Sequence, residues 1–185
     1  MQAGKVVFEG QTSGGLQVLV RYPAPGDVKA MWEFINTLSR ERTFILFQGE
    51  QLSLDDEEQY VAGMLDRIAR REAVHLLALS GDTLIGSSSI ALNTGVSRHV
   101  GDFGIVIAQG YRGRGVGTVL MEAVIREARA QLPNLKMVTL EVFGNNATAM
   151  HLYQKQGFVE YGRLPGGILH RDQYVDAVHM VRDVS

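Results

Sequence analysis

Cysteine is absent from this 185-residue chain. Its absence excludes a disulfide framework, a thiolate zinc site, a dithiol redox pair and a cysteine nucleophile. Any sulfur chemistry has to arrive on a ligand. An excess of either charge is lacking too. The formal net charge is −2, with lysine and arginine scattered, so no clustered positive footprint marks a nucleic-acid or anionic-membrane partner. No apolar run approaches the roughly 18–20 residues that span a bilayer. The opening segment Met1–Glu9 carries no apolar stretch of the secretory kind. The expectation is a cytoplasmic protein with neither nucleic acid nor membrane as a partner.

What is present looks globular. Hydrophobic residues make up 45% and charged residues 21%, close to ordinary domain composition. The length suits one domain over residues 1–185. Glycine is in excess: 21 residues stand where average usage gives roughly 13. Six of them, Gly101, Gly104, Gly110, Gly113, Gly115 and Gly117, crowd into one short stretch. The histidines, His75, His99, His151, His170 and His179, show no metal-like spacing, so no metal is expected.

Lys5–Phe8 and Leu16–Tyr22 read as an opening strand or pair of strands around Thr-Ser-Gly-Gly. Asp27 offers an N-cap to a first helix with Val28, Met31, Trp32, Ile35 and Leu38 at helical spacing. A connector, Arg40–Gln51, leads to a capping box at Ser53 and Asp56. The second helix then carries Tyr60, Val61, Met64, Leu65 and Ile68 on one face. The acidic run Asp55–Glu58 needs no cation, because a first helical turn favours carboxylates. Val74–Leu79 and Thr83–Leu92 form a hairpin about Gly81-Asp82, and Arg98–Ala108 is a further strand. After the glycine-rich stretch, Val116, Val119, Leu120, Ala123, Val124 and Ala128 trace a helical stripe. Lys136–Phe143 is a strand, Asn146–Gln156 a helix, Gly157–Leu164 a strand, Pro165–Gly167 a turn or loop, and Tyr174–Arg182 a closing strand. Mixed strands and helices give an α/β or α+β class with a mixed sheet.

Arg112-Gly113-Arg114-Gly115-Val116-Gly117 stands between a buried-looking strand and an amphipathic helix. Small residues let a ligand approach the backbone, and the free N–H groups of a helix start favour an anion. Arg112 and Arg114 add positive charge at the rim. A P-loop would require a lysine after its last glycine, and none follows. The dinucleotide pattern Gly-x-Gly-x-x-Gly fails at Thr118 when counted from Gly113, and at Leu120 when counted from Gly115. Glu141 nonetheless falls where a ribose-binding acid would be sought, so a nicotinamide-dinucleotide oxidoreductase stays as an alternative.

Gln109-Gly-Tyr-Arg112-Gly-Arg114-Gly115-Val-Gly117 resembles the Arg/Gln-x-x-Gly-x-Gly/Ala signature of GNAT-superfamily N-acetyltransferases. Asn146-Ala-Thr-Ala149-Met-His-Leu152-Tyr153-Gln-Lys-Gln-Gly157-Phe158 is similar to a second block of that family. The resemblance implies a mixed, mostly antiparallel sheet of about seven strands flanked by four helices. It implies acetyl-CoA as co-substrate, with the pyrophosphate on Arg112, Gly113, Arg114, Gly115, Val116, Gly117 and Thr118. The pantetheine arm would lie along the main chain of Ile105, Val106 and Ile107, with Asn146 and Tyr153 beside it. A catalytically silent acyl-CoA-binding protein is the second alternative.

By the same resemblance, Tyr153 is the candidate general acid for the coenzyme thiolate. Glu141 is the candidate base, with Asp102 competing. Each also has a plain structural role available: Tyr153 as packing beside Leu152, Asn146 as a helix cap, Glu141 as a solvated strand residue. The acceptor site falls on Arg40–Gln51, with Phe44, Phe47 and Glu50, and on Leu164–Gln173. His170, Arg171 and Asp172 stand in that second segment, with Arg163 just before it. These suit a small-molecule amine better than a polycation, and a protein N-terminus remains an option. A homodimer is compatible with all of this.

Overall fold

The computed structural model describes residues 3–185. The opening segment resolves into two antiparallel strands, β1 (Val6–Gln11) and β2 (Gln17–Arg21), joined through Thr12–Gly15. Helix α1 (Val28–Arg40) follows. Asp27 occupies its N-cap position, but the carboxylate does not cap the helix. It accepts from Arg21 at 2.7 and 2.6 Å and from the Ala24 N–H at 2.7 Å. Burial raises the Asp27 carboxyl, yet the Arg21 and Ala24 hydrogen bonds outweigh it and hold the group below its ordinary range. A nearby guanidinium has outcompeted local capping.

Helix α2 (Leu54–Ala69) begins with the expected box: Asp56 N–H donates to Ser53 Oγ at 3.1 Å, and the Asp56 carboxylate accepts from Ser53 N–H at 3.1 Å. Val61, Met64 and Ile68 are buried as the spacing requires, whereas Tyr60 is exposed. Strands β3 (Ala73–Ser80), β4 (Thr83–Leu92) and β5 (Val100–Ile107) form a meander. Then come α3 (Val116–Gln131), β6 (Met137–Phe143), α4 (Ala147–Lys155), β7 (Val159–His170) and β8 (Gln173–Asp183). Among the described residues no helix is long and apolar enough to cross a membrane.

One eight-stranded sheet runs in the order β1-β2-β3-β4-β5-β6-β8-β7. Neighbours are antiparallel except β5 and β6, the two strands that α3 connects. Strand β3 is buried at every position from Ala73 to Ala78, so both faces of the sheet are covered there. Helix α3 covers one face with Val116, Leu120, Ala123, Val124 and Ala128, each at most 1% exposed. Burying a single Val or Leu side chain contributes roughly 1.5–3 kcal/mol, so this stripe anchors the helix and the turn before it. Helices α1 and α2 pack on β4 and β3 from the other side.

Two expectations change near the C-terminus. Pro165–Gly167 is not a turn between strands but a bulge within β7, where the register slips between Leu164 and Ile168. Proline fits because β7 is the sheet's edge strand and donates nothing on its open side. The turn lies later, at Arg171 and Asp172, both with positive φ (51° and 61°). Neither is glycine, so the usual two-residue hairpin signal was missing from the sequence. His170 accordingly sits at the end of β7 and not on a loop.

Side chains of α1 fasten the connector between α1 and α2. Asn36 donates to Leu52 O at 3.1 Å and accepts from Leu52 N–H at 2.8 Å, while Trp32 Nε1 donates to the same carbonyl at 2.8 Å. The tip of the first hairpin docks elsewhere, on the glycine-rich turn. A Cβ on Gly115 would lie 2.6 Å from Ser13 Oγ, and Gly115 has φ +81°. A Cβ on Gly113 would meet nothing within 4 Å, although its φ is also positive at +71°.

Asn36→Ala is expected to destabilise the protein by about 1–3 kcal/mol in urea unfolding, because it strands the Leu52 N–H and leaves the Leu52 carbonyl to Trp32 alone. Gly115→Ala should lower the urea midpoint more than Gly113→Ala does. Both variants carry the cost of positive φ, but only Gly115→Ala adds a clash with the hairpin tip.

Candidate active site

The site begins where β5 and β6 part. They pair over only three positions, Val100 with Met137, Gly101 with Val138, and Asp102 with Thr139. Beyond these, β5 continues beside β4 as far as Ile107 and β6 continues beside β8 as far as Phe143. A cleft therefore opens between two strands that both remain supported on their outer sides.

Backbone alternation decides which groups face this cleft. Ala108 N–H donates to Ile85 O at 2.9 Å, and Asn93 N–H donates to Val100 O at 2.9 Å. In an antiparallel ladder such bonds recur every second residue, so Val106 and Gly104 turn their own N–H and C=O toward β4. Phe103, Ile105 and Ile107 turn theirs toward the cleft. Of the three residues expected to bind through the main chain, Ile105 and Ile107 qualify, whereas Val106 has its backbone in the ladder. Its neighbours' side chains divide accordingly: Phe103, Ile105 and Ile107 lie on the α3 face, and Asp102, Gly104 and Val106 on the α1–α2 face.

At the end of β5 the chain makes the glycine-rich turn. Tyr111 and Arg112 N–H bond back to Ala108 and Gln109, and Val119 is the first α3 donor, to Gly115 O at 3.2 Å. Between them, the N–H groups of Gly113, Arg114, Gly115, Val116, Gly117 and Thr118 have no backbone acceptor among the described residues. Six unpaired donors at a helix start favour a negative charge beside them. A Cβ on Gly117 would touch Leu152 of α4 at 3.4 Å, so this glycine also sets how closely α4 packs.

The two arginines of the turn differ. Arg112 is not mobile: Nε donates to Ile107 O at 2.8 Å and Nη2 to Glu41 at 2.7 Å, tying the turn to the end of α1. Arg114 is exposed and has no ion-pair partner among the described residues. Glu41 was not singled out by sequence, because 71 residues separate it from Arg112.

Helix α4 brings Tyr153 to the α3 side of the cleft. Asn146 caps it, accepting from Ala149 N–H at 3.2 Å. The Tyr153 ring packs edge-on against Phe103 at 5.9 Å and tilted against Phe158 at 6.1 Å. Only 8% of the residue is exposed, and its hydroxyl has no hydrogen-bond partner among the described residues. Burial pushes the phenol up to about 12.

Asp102 and Glu141 lie on the opposite face. Asp102 is in register with Thr139, and Glu141 stands two residues further along β6, so both carboxylates flank the mouth of the cleft. Desolvation raises the Asp102 carboxyl, against the hydrogen bond of Thr139, which lowers it. Glu141 is exposed and lies 3.6 Å from His179 Nε2 on β8. Asp102 and Glu141 thus stand side by side on this face, separated from Tyr153 by the thickness of the sheet.

The same face continues to Phe143, where three distant segments meet. Phe44 from the connector packs 5.7 Å from Phe143 and 4.9 Å from the ring of His170, and Phe143 lies 5.2 Å from His170. His170 is only 3% exposed. Arg171 closes the junction by donating to Arg42 O at 3.3 Å. Other residues expected near an acceptor have structural duties. Arg163 bridges Glu160 and Asp176, and the Glu50 carboxylate accepts from Gln48 N–H within its own loop. Phe143 and Asn145 were missed in the sequence, where one reads as ordinary strand and the other as ordinary turn.

Comparison with known proteins agrees with this geometry. The model of the acetyltransferase (GNAT) family matches residues 31–158, which include the turn, the cleft strands and α4. The chain is 33% identical over 119 residues to an L-amino acid N-acetyltransferase of Escherichia coli, spanning 63% of this chain and 73% of that one. It is 29% identical over 167 residues to a spermidine N(1)-acetyltransferase of Vibrio cholerae, spanning 89% and 91%. A GNAT-family acetyltransferase structure from Streptococcus pneumoniae superposes with a TM-score of 0.82 at 29% identity, over 91% of this chain and 99% of that one. With a sheet that parts beside a helix start rich in unpaired N–H groups, and matched by that family over most of its length, the chain belongs to the acetyltransferase (GNAT) family, and the protein is an N-acetyltransferase.

Proposed function

We propose that this enzyme transfers the acetyl group of acetyl-CoA to the primary amine of a small molecule by direct attack on the thioester. The observation that carries this reading is the continuity of two binding features. Six free N–H groups at the α3 start lead straight into the free edge of β5. Together they suit a ligand with a pyrophosphate at one end and an amide-bearing arm at the other. Gly113 leaves the turn open above the backbone, and Arg114 supplies a guanidinium beside it. The relatives named above act, by their names, on an L-amino acid and on spermidine, both small amines. A nicotinamide-dinucleotide reading calls for a parallel doubly wound sheet, whereas six of the eight strands here have only antiparallel neighbours and the one parallel contact is between β5 and β6.

In this reading the amine approaches from the α1–α2 face, where Asp102 and Glu141 stand to take its proton. The nitrogen bonds to the acetyl carbon while the carbon–sulfur bond breaks. The N–H groups of Ile105 and Ile107 face the cleft, where they polarise the thioester carbonyl before attack. Tyr153 meets the departing sulfur from the α3 side. A thiol ordinarily titrates near 8.5, well below a phenol held at about 12. Magnitude therefore favours a tyrosine that stabilises the thiolate by donating a hydrogen bond over one that surrenders its proton outright.

Acetyl-CoA and CoA are expected to raise the melting temperature by mass action. Stabilisation by NAD(H) and by neither coenzyme form would overturn the reading. Tyr153→Phe should lower kcat by about 100-fold while acetyl-CoA affinity stays within about twofold, as measured by steady-state kinetics and titration calorimetry. Because burial keeps the phenol protonated, kcat/KM should rise through the titration of the base and show no alkaline fall from Tyr153 below about pH 10. An unchanged kcat would remove Tyr153 from the reaction.

A further inference from the structure

Acetyl transfer to an ammonium group leaves one proton to be disposed of. An alkylammonium nitrogen carries three protons. The amide keeps one and the CoA thiol takes one, so the third has to leave the site in every turnover. It arrives on the carboxylates of the α1–α2 face, which the sheet separates from Tyr153. A base that cannot pass its proton on serves only once.

Glu141 has an imidazole beside it on the side away from the cleft. His179 is its direct partner across the β6–β8 ladder, and the two side chains share a face. Glu141 Oε2 and His179 Nε2 lie 3.6 Å apart. That is too long for a hydrogen bond, but closing by roughly 0.8 Å makes one. Such a movement is small for two partly exposed side chains, and Glu141 has no other ion-pair partner among the described residues. The His179 side chain is 34% exposed, so its ring opens on solvent. From β7 it faces the Tyr161 ring at 6.0 Å, and its own strand presents Ala177 and Val181 on that face. Asp102 is placed differently, with Thr139 across from it on β6 and Ala91 on β4, neither of which titrates.

We infer that His179 is a positioning residue for proton exit, acting through Glu141: its neutral ring accepts the Glu141 proton at Nε2 and releases one to solvent. An N–H bond of the bound ammonium breaks as the Glu141 O–H bond forms. That O–H bond then breaks as the His179 Nε2–H bond forms, in the tautomer whose resident proton is on Nδ1. The imidazolium, now beside a restored carboxylate, loses one proton to water or buffer. This inference rests on the acetyl-transfer reading proposed above.

The test compares acceptors that must shed a proton with one that need not. Spermidine and L-methionine are ammonium ions near neutral pH, whereas methoxyamine is neutral there. Its nitrogen carries two protons, one kept by the amide and one taken by sulfur, so none leaves. Thiol release from acetyl-CoA is the readout. His179→Ala should lower kcat about 10-fold for spermidine or L-methionine, leave acceptor KM within about twofold, and leave kcat for methoxyamine unchanged. His179→Gln keeps bulk and a hydrogen-bond donor but cannot carry the proton, so it should behave as His179→Ala does. Imidazole in the buffer should restore the lost rate of His179→Ala in proportion to its concentration, and should not raise the rate of Glu141→Gln. Equal losses with both kinds of acceptor, a native rate in His179→Gln, or a loss that imidazole does not restore overturns the inference. A measurement without any acceptor checks the pair itself. The ring nitrogen resonances of His179 should move on Glu141→Gln, and resonances that stay in place overturn the inference as well. Failure of the acetyl-transfer reading shows differently, as absence of any stabilisation by acetyl-CoA or CoA.

Discussion

The parting of β5 and β6 after three residue pairs is the constraint on which the rest of the site depends. Parallel neighbours joined through a helix can hold together only where their hydrogen bonds stay in reach. Here both strands have a stronger antiparallel partner on the outer side: β4 pairs with β5 over seven positions, and β8 pairs with β6 over seven. Each strand therefore keeps its stability after separation, and backbone donors stay unpaired in the middle of a sheet without unfolding it. Unpaired groups at that depth are costly when left dry, and a ligand with its own amides is the natural way to satisfy them.

Around that cleft, chemistry is sorted by face. The α3 side brings the glycine-rich turn with its unpaired N–H groups and Tyr153, embedded with Phe103 and Phe158. The α1–α2 side brings Asp102, Glu141 and the junction of Phe44, Phe143 and His170. Strand alternation enforces the division, since successive residues of β5 and β6 point to opposite sides. Arg112 couples the halves by holding Ile107 and Glu41 together, so the glycine-rich turn is tied to the end of α1 and the start of the connector.

Local signals in the sequence served well where one segment makes its own structure. The α3 stripe, the Ser53–Asp56 box and the Asn146 cap all appear as spacing implied. Signals failed where a distant group outbid the local one. Asp27 has the sequence of a cap and the structure of an Arg21 partner. Pro165–Gly167 has the composition of a turn, but β8 holds it within a strand as a bulge. Arg112 looks like free charge until Glu41, 71 residues earlier, arrives beside it.

By itself the sequence determined the family, and it singled out the glycine-rich turn, Tyr153, Asp102 and Glu141 as candidates. These are short-range patterns whose residue types and spacing carry the chemistry. The tertiary structure decided that Ile105 and Ile107 face the cleft while Val106 does not, because only the ladder's phase with β4 assigns backbone directions. It also decided that Phe44, Phe143 and His170 form one junction, as a separation of 126 positions between Phe44 and His170 leaves no spacing to read. Contacts of that separation exist only once the sheet has brought its far strands together.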